Sequence, residues 1–194
     1  MIINDIPVYD GLLIHKRFAY NYFRKKTLPI GNIVAFRAPM NVLADGMIDS
    51  EDILQNDFIY SDDAINFCWE IPNLDPFGAV CFQRLFNTAI ANTLHTYIKK
   101  PIEMKGDDLI VHGEFTQGGV VQQKGKASVS ITYSKDNVAI GHTGINITAG
   151  KQAPAFAYST NLTPEQAEKF QLQVHQQFYQ MVDNIFVATS KVIV

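Results

Sequence analysis

Lys126-Ala127-Ser128-Val129-Ser130-Ile131-Thr132-Tyr133, then Lys135-Asp136-Asn137, then Val138 to Ile147, is the stretch that decides how this chain reads. Ala127, Val129, Ile131 and Tyr133 alternate with Ser128, Ser130 and Thr132. A period of two is that of a strand with unlike faces. Asp136-Asn137 supplies turn residues, so Val138–Ile147 returns as an antiparallel partner. One face of the first strand would carry Lys126, Ser128, Ser130 and Thr132, and the other would carry the core. The polar face is either solvated or the lining of a cleft for an anion or carbonyl. Gly141 and Gly144 interrupt the returning strand, which marks close approach of a ligand or of another backbone. His142 and Asn146 share a parity and so can point into one site.

Working outward, Lys105-Gly106-Asp107-Asp108 is a turn into a strand over Asp108–His112. Its two carboxylates could hold a magnesium ion, accept from a ligand amine or hydroxyl, or simply end the turn. Gly113–Gly125 reads as a long loop. A helix is expected from Ala79 to Ile98, stopped before Pro101. Arg84, near its start, could bind an anion or pair with Glu70. Ser61 reads as an N-cap with Asp62 and Asp63 in a first turn, so a helix is expected over Ser61–Cys68. Asn32–Arg37 is a strand opened by Gly31 and ended by Pro39, and Arg37 at its end either clamps a carboxylate or phosphate or is a surface or ion-paired arginine. Thr163-Pro164-Glu165-Gln166 is a capping box opening the last helix.

At 194 residues the chain is expected to be one domain over 1–194. Its 47% hydrophobic and 18% charged composition excludes disorder. A net charge of −3 argues against a broad nucleic-acid or membrane surface. Cys68 and Cys81 sit among apolar residues and read as buried thiols. The first residues lack a basic, then apolar, leader pattern, and no apolar run approaches the ~20 residues of a membrane span. A cytoplasmic location is expected. The fold class is α+β, a mainly antiparallel sheet flanked by helices.

The order Lys105-Gly106-Asp107-Asp108, Lys126-Ala127-Ser128, Gly144-Ile145-Asn146 resembles biotin protein ligases and lipoate ligases. That resemblance puts Asp107 and Asp108 on an Asn-Asp pair at a strand start. It puts Lys126 on the lysine that contacts the acyl carboxylate and adenylate, and Asn146 near the nucleotide phosphates. ATP and magnesium are the cofactors it implies, with Asp108 toward the metal. Arg37, Arg84, Asp107, Ser128, Ser130, His142 and Asn146 are the expected ligand-binding residues, and Lys126 is the expected catalytic one. Over nearly the whole chain, Val34-Ala35-Phe36-Arg37, Met47-Ile48-Asp49-Ser50-Glu51-Asp52, Gln83-Arg84-Leu85, Gly106-Asp107-Asp108-Leu109, His142-Thr143-Gly144-Ile145-Asn146 and Ala188-Thr189-Ser190-Lys191-Val192 are similar to domain of unknown function 366. Membership implies the class II aminoacyl-tRNA synthetase and biotin synthetase fold. One departure stands out: ligases carry a glycine- and arginine-rich loop over the adenylate, and only Arg37-Ala38-Pro39-Met40 stands near that place. A ligase-like enzyme taking a small molecule is therefore expected, with a non-catalytic metabolite-binding or protein-interaction module as the alternative. A homodimer paired through a sheet edge is a third possibility.

Overall fold

The structure, a computed structural model, describes residues 1–23 and 31–191; Val192 lies outside them. In chain order the elements are β1 (Ile2–Ile3), α1 (Leu12–His15), α2 (Phe18–Tyr22), β2 (Asn32–Val42), a 3-10 turn (Ala44–Gly46), α3 (Ser50–Gln55) and β3 (Ile59–Pro72). Then follow α4 (Pro76–Ile98), β4 (Ile102–Lys105), β5 (Asp108–Gln117), β6 (Val120–Lys126), β7 (Ser128–Lys135), β8 (Val138–Thr148) and α5 (Pro164–Ser190). One sheet has the order β1-β2-β3-β8-β7, and a second has the order β4-β5-β6. All pairings are antiparallel except β1 with β2. The expected α+β class, helices flanking a mainly antiparallel sheet, is what forms.

The segment expected as a helix over Ser61–Cys68 is instead the central strand β3, paired to β2 on one edge and β8 on the other. Ile65, Phe67, Trp69 and Ile71 face α4 and α5, while Ala64 and Cys68 face the amino-terminal layer. That is a period of two, and the β-branched and aromatic residues favour it. The apparent cap misleads because the Ser61 hydroxyl donates to the carbonyls of Asp63 and Thr148, at 3.0 Å each, beside a register shift at Asp63/Ala64. The other boundaries shift for similar reasons. Pro39 does not end β2; it sits where the register slips between Ala38 and Met40, as a proline in a sheet must. α4 starts at Pro76, with Asp75 as its cap, three residues before the expected Ala79.

Gly113–Gly125 is not a loop but most of the β5–β6 hairpin. Gly118 and Gly119, at φ 57° and 80°, close it in two residues, as a primed turn requires. Asp136 and Asn137 do the same for β7–β8 at φ 52° and 60°, as expected. The capping box at Thr163 and Gln166 also forms as expected. Cys68 is buried, but Cys81 is exposed, against expectation: it lies on the outer side of α4.

Both strand glycines answer to packing rather than to a ligand. A Cβ on Gly141 would overlap the Trp69 indole, and one on Gly144 would lie 2.5 Å from Met40 Sδ. Trp69 and Met40 are both fully buried and have nowhere to move. Gly141→Ala is therefore expected to lower stability by about 1–3 kcal/mol, the usual cost of overpacking a core, read as a shifted urea midpoint at unchanged slope.

Candidate functional site

The two sheets meet at Ala127. Its N–H donates to the Leu109 carbonyl of β5, and its carbonyl accepts from Asn146 N–H of β8, both at 2.9 Å. Lys126, one residue earlier, is held by the returning segment: its N–H donates to Phe156 and its carbonyl accepts from Tyr158, both at 2.8 Å. Ser128, one residue later, accepts from Leu109 N–H through its hydroxyl at 2.9 Å. The corner is fixed by backbone bonds on every side, so the side chains leaving it have defined directions.

Those side chains line a cavity of about 440 Å³. Lys126 and Asp108 form one wall, with Nζ and Oδ1 2.7 Å apart. Asn146 and Val129 lie on the sheet side, and the half-exposed rings of Phe58 and Phe156 stand at the mouth. The opposite wall comes from α3 and its flanks, which place Asp49, Asp52 and Asp57. Asp49 caps α3 by accepting from Glu51 N–H, so this wall is built by the helix start itself. Asn146 is 4% exposed, and its Oδ1 has no hydrogen-bond partner among the described residues. A buried amide oxygen without a partner costs about 1–3 kcal/mol unless something binds to it.

A smaller chamber of about 40 Å³ adjoins the cavity and shares Met47, Asp49, Asp52, Ile59, Val129 and Ser130 with it. His142 lines that chamber, 1% exposed, with its ring 3.7 Å from the Tyr9 ring and nearly parallel to it. Burial lowers the His142 pKa to about 3, so the ring is neutral. Its Nε2 meets Asn66 Oδ1 at 2.9 Å.

The expected residues thus divide. Asp107, Asp108, Lys126, Ser128, Ser130 and Asn146 line the cavity, and His142 lines its inner end. Arg37 does not join them: it is exposed and clamped by three hydrogen bonds to the Asp63 carboxylate across the β2–β3 pair. Arg84 neither pairs with Glu70 nor lines the cavity. It sits 3.5 Å from Asp107, while Glu70 is taken by Arg17 at 3.0 Å. Ser130 lies in the wall, yet its hydroxyl is consumed on the helix side. It accepts from Gln83 at 2.9 Å and Asn87 at 3.0 Å, and it faces Thr143 at 3.1 Å. The polar face of β7 is therefore neither solvated nor free for a ligand; it is a buried network that also holds the Asp107 backbone carbonyl through Asn87, at 2.9 Å. Val129 and Ile131, expected in the main core, pack on the opposite, amino-terminal layer.

Magnesium does not fit as a resident ion. Asp108 is paired with Lys126 and Asp107 with Arg84, and among the described residues no three His, Cys, Asp or Glu side chains are grouped to hold a metal. Sequence reading gave no role to Asp49, Asp52, Tyr9 or Asn66. Asn66 was visible as a polar residue inside the run Ile65-Asn66-Phe67, whereas Tyr9 and α3 reach the cavity only through the fold.

Charge in the cavity is unbalanced. Asp49, Asp52, Asp57, Asp107 and Asp108 line it with one cation, Lys126, among the described residues, and Arg84 reaches Asp107 from outside the lining. Burial, joined by Asp49, raises the Asp52 carboxyl above its ordinary range, with Lys126 pulling the other way. A carboxyl raised on folding is destabilising where it is ionised, and the loss vanishes as pH falls through its folded value. Asp52→Asn is expected to raise the thermal midpoint at pH 7. The gain should disappear in acid, where both proteins carry a neutral side chain, as calorimetry across pH would register.

The family described as Domain of unknown function (DUF366) matches residues 1–193. No curated protein matches the sequence. Among solved structures, a protein of unknown function from Pyrococcus horikoshi is similar with a TM-score of 0.81 and 23% identity, over 100% of this chain and 97% of that one. A bi-partite lipoate protein ligase from Thermoplasma acidophilum is similar at 0.59 and 8% identity, over 92% and 83%. Biotin protein ligase from Aquifex aeolicus, in complex with biotin and ATP, is similar at 0.54 and 12% identity, over 94% and 70%. These likenesses establish the biotin and lipoate ligase fold and leave activity open. No helix among the described residues is long and apolar enough to cross a membrane. The chain belongs to the domain of unknown function 366 family.

Proposed function

We propose that this member of the domain of unknown function 366 family binds an acid-bearing small molecule in the cleft at the Ala127 corner, with Lys126 receiving the acid group. The observation that carries this reading is one cavity lined by both a lysine and Asn146, whose buried Oδ1 has no partner among the described residues. Lys126 Nζ has three donors, and Asp108 occupies one direction at 2.7 Å, so a second oxygen can share it. Asn146 Oδ1 would take an N–H or O–H from the same ligand. The aromatic rings at the mouth supply apolar cover that strengthens both contacts.

A second reading, an ATP-dependent acyl-adenylating ligase, draws on the likeness to folds solved with lipoate, or with biotin and ATP. Against it stand the acidic wall and the two arginines, each engaged with an aspartate. A triphosphate needs several cations around it. Binding of an acid-bearing metabolite without adenylation fits the present walls better, and nucleotide binding is the outcome that would reverse the order.

Differential scanning fluorimetry against a panel of small carboxylic acids, with and without ATP and magnesium, tests both. A ligand at a hundred times its Kd should stabilise the protein by about 2.7 kcal/mol. Lys126→Met should abolish that shift while leaving the fold intact by circular dichroism. Stabilisation that survives Lys126→Met would place the ligand elsewhere. Pyrophosphate release with ATP and an acid would establish the ligase.

A further inference from the structure

The groups facing the cleft are mismatched to an acid alone. Lys126 is the one cation in its lining among the described residues, against five aspartates, with Asn146 and the hydroxyls of Tyr60, Ser128 and Ser130 as its neutral polar groups. At the inner end, the acceptor character of His142 is fixed by a device two strands deep. Asn66, on β3, donates its Nδ2 to the carbonyls of Ala38 at 3.2 Å and Ala64 at 3.4 Å. Its Oδ1 is thereby turned to His142 Nε2, so Nε2 must carry the proton. Nδ1 is left as a bare acceptor with no partner among the described residues. Turning the ring over would keep its stack on Tyr9 at 3.7 Å but forfeit the bond to Asn66, which therefore holds this orientation. Nor does it become charged at neutral pH, being wholly buried.

The inner chamber is otherwise mostly apolar, with Ile14, Val42, Ile48 and Ile131 in its lining; Tyr9 is stacked on the ring, the Ser130 hydroxyl is taken by Gln83 and Asn87, and Asp49 and Asp52 lie on the side shared with the outer cavity. An aspartate pair beside a neutral imidazole acceptor is a lining for a cation that carries N–H groups. At about 40 Å³ the chamber takes a small head and no more.

We propose that the ligand of this cleft is a zwitterion, an amino-bearing carboxylic acid, whose ammonium enters the inner chamber and donates to His142 Nδ1 and to Asp49 or Asp52 while its carboxylate meets Lys126. This rests on the cleft reading above and adds the chemical class of the ligand and the residue that selects it. His142 is a specificity residue and Asn66 a positioning residue, acting through the tautomer it imposes. A plain alkanoate leaves the imidazole and aspartates unanswered. A nucleoside phosphate brings negative charge to an already negative wall.

The test uses matched probes: β-alanine, 4-aminobutyrate and 6-aminohexanoate against propionate, butyrate and hexanoate, titrated calorimetrically into the full chain. The expected result is that at least one amino acid of the series binds about tenfold or more tightly than its alkanoate, the worth of one charge-assisted hydrogen bond. His142→Phe, which keeps the stack on Tyr9, should cut that preference to the part Asp49 and Asp52 supply and leave alkanoate binding dependent on Lys126. Nitrogen-15 NMR of the histidine rings in the wild-type protein needs no variant to fold. It should find His142 as the Nε2–H tautomer, with its Nδ1 signal moving on titration with the preferred amino acid and not with the alkanoate. Equal binding of both series, still lost in Lys126→Met, overturns the zwitterion and leaves the acid-binding cleft standing. An Nδ1 signal indifferent to every bound probe assigns that atom to a water and overturns the role of His142. If no probe of either series binds, the zwitterion fails, and the acid-binding cleft is then judged on the wider acid panel.

Discussion

Everything in this fold is hung on β3 being buried on both faces and paired on both edges. Ile65, Phe67 and Trp69 are wholly excluded from water against α4 and α5, each worth about 1.5–3 kcal/mol of transfer free energy. On the reverse face Ala64 and Cys68 carry the amino-terminal layer, and Asn66 stands between them. A strand so enclosed tolerates a polar side chain only when that side chain is hydrogen-bonded. Asn66 meets the condition by reaching Ala38, Ala64 and His142, and in doing so it transmits the geometry of the core to the inner end of the cleft.

The same economy governs the corner at Ala127. One residue with a small side chain bonds both sheets, and its neighbours on either side, Lys126 and Ser128, inherit fixed directions from it. Behind them the network of Gln83, Asn87, Ser130 and Thr143 satisfies its members mutually and reaches the Asp107 backbone. A polar network of this kind is stable only when complete. Ser130 is spent on it, which is why a serine in the cavity wall has no hydroxyl to offer a ligand.

Fold and chemistry part company in the cleft. The architecture is that of ligases that handle lipoate or biotin, yet its described walls hold one lysine among aspartates. An acidic cleft lowers the local concentration of anions and raises that of cations. The chemistry of this protein is therefore read from the side chains on the scaffold rather than from the scaffold.

The sequence by itself determined the elements whose signals are local. The alternation over Ala127–Tyr133, the Asp136-Asn137 turn, the capping box at Thr163 and the apolar stripe of α4 each rest on neighbours a few residues apart, and each is present. It also determined the order Asp107-Asp108, Lys126, Asn146, which the fold gathers in one cavity. Local rules misread Ser61–Cys68 because a capping signal and a strand period competed, and only burial between two layers decides for the strand. They misread Gly113–Gly125 because paired glycines in a polar stretch suit a loop as well as a primed turn. Local rules could not name the partners of Arg37 and Arg84, because the aspartates they pair with lie 26 and 23 positions away in sequence and meet them only in space. The acidic wall of α3, the stack of Tyr9 on His142 and the tautomer set by Asn66 were decided by tertiary structure alone, since each depends on which distant groups share a buried volume.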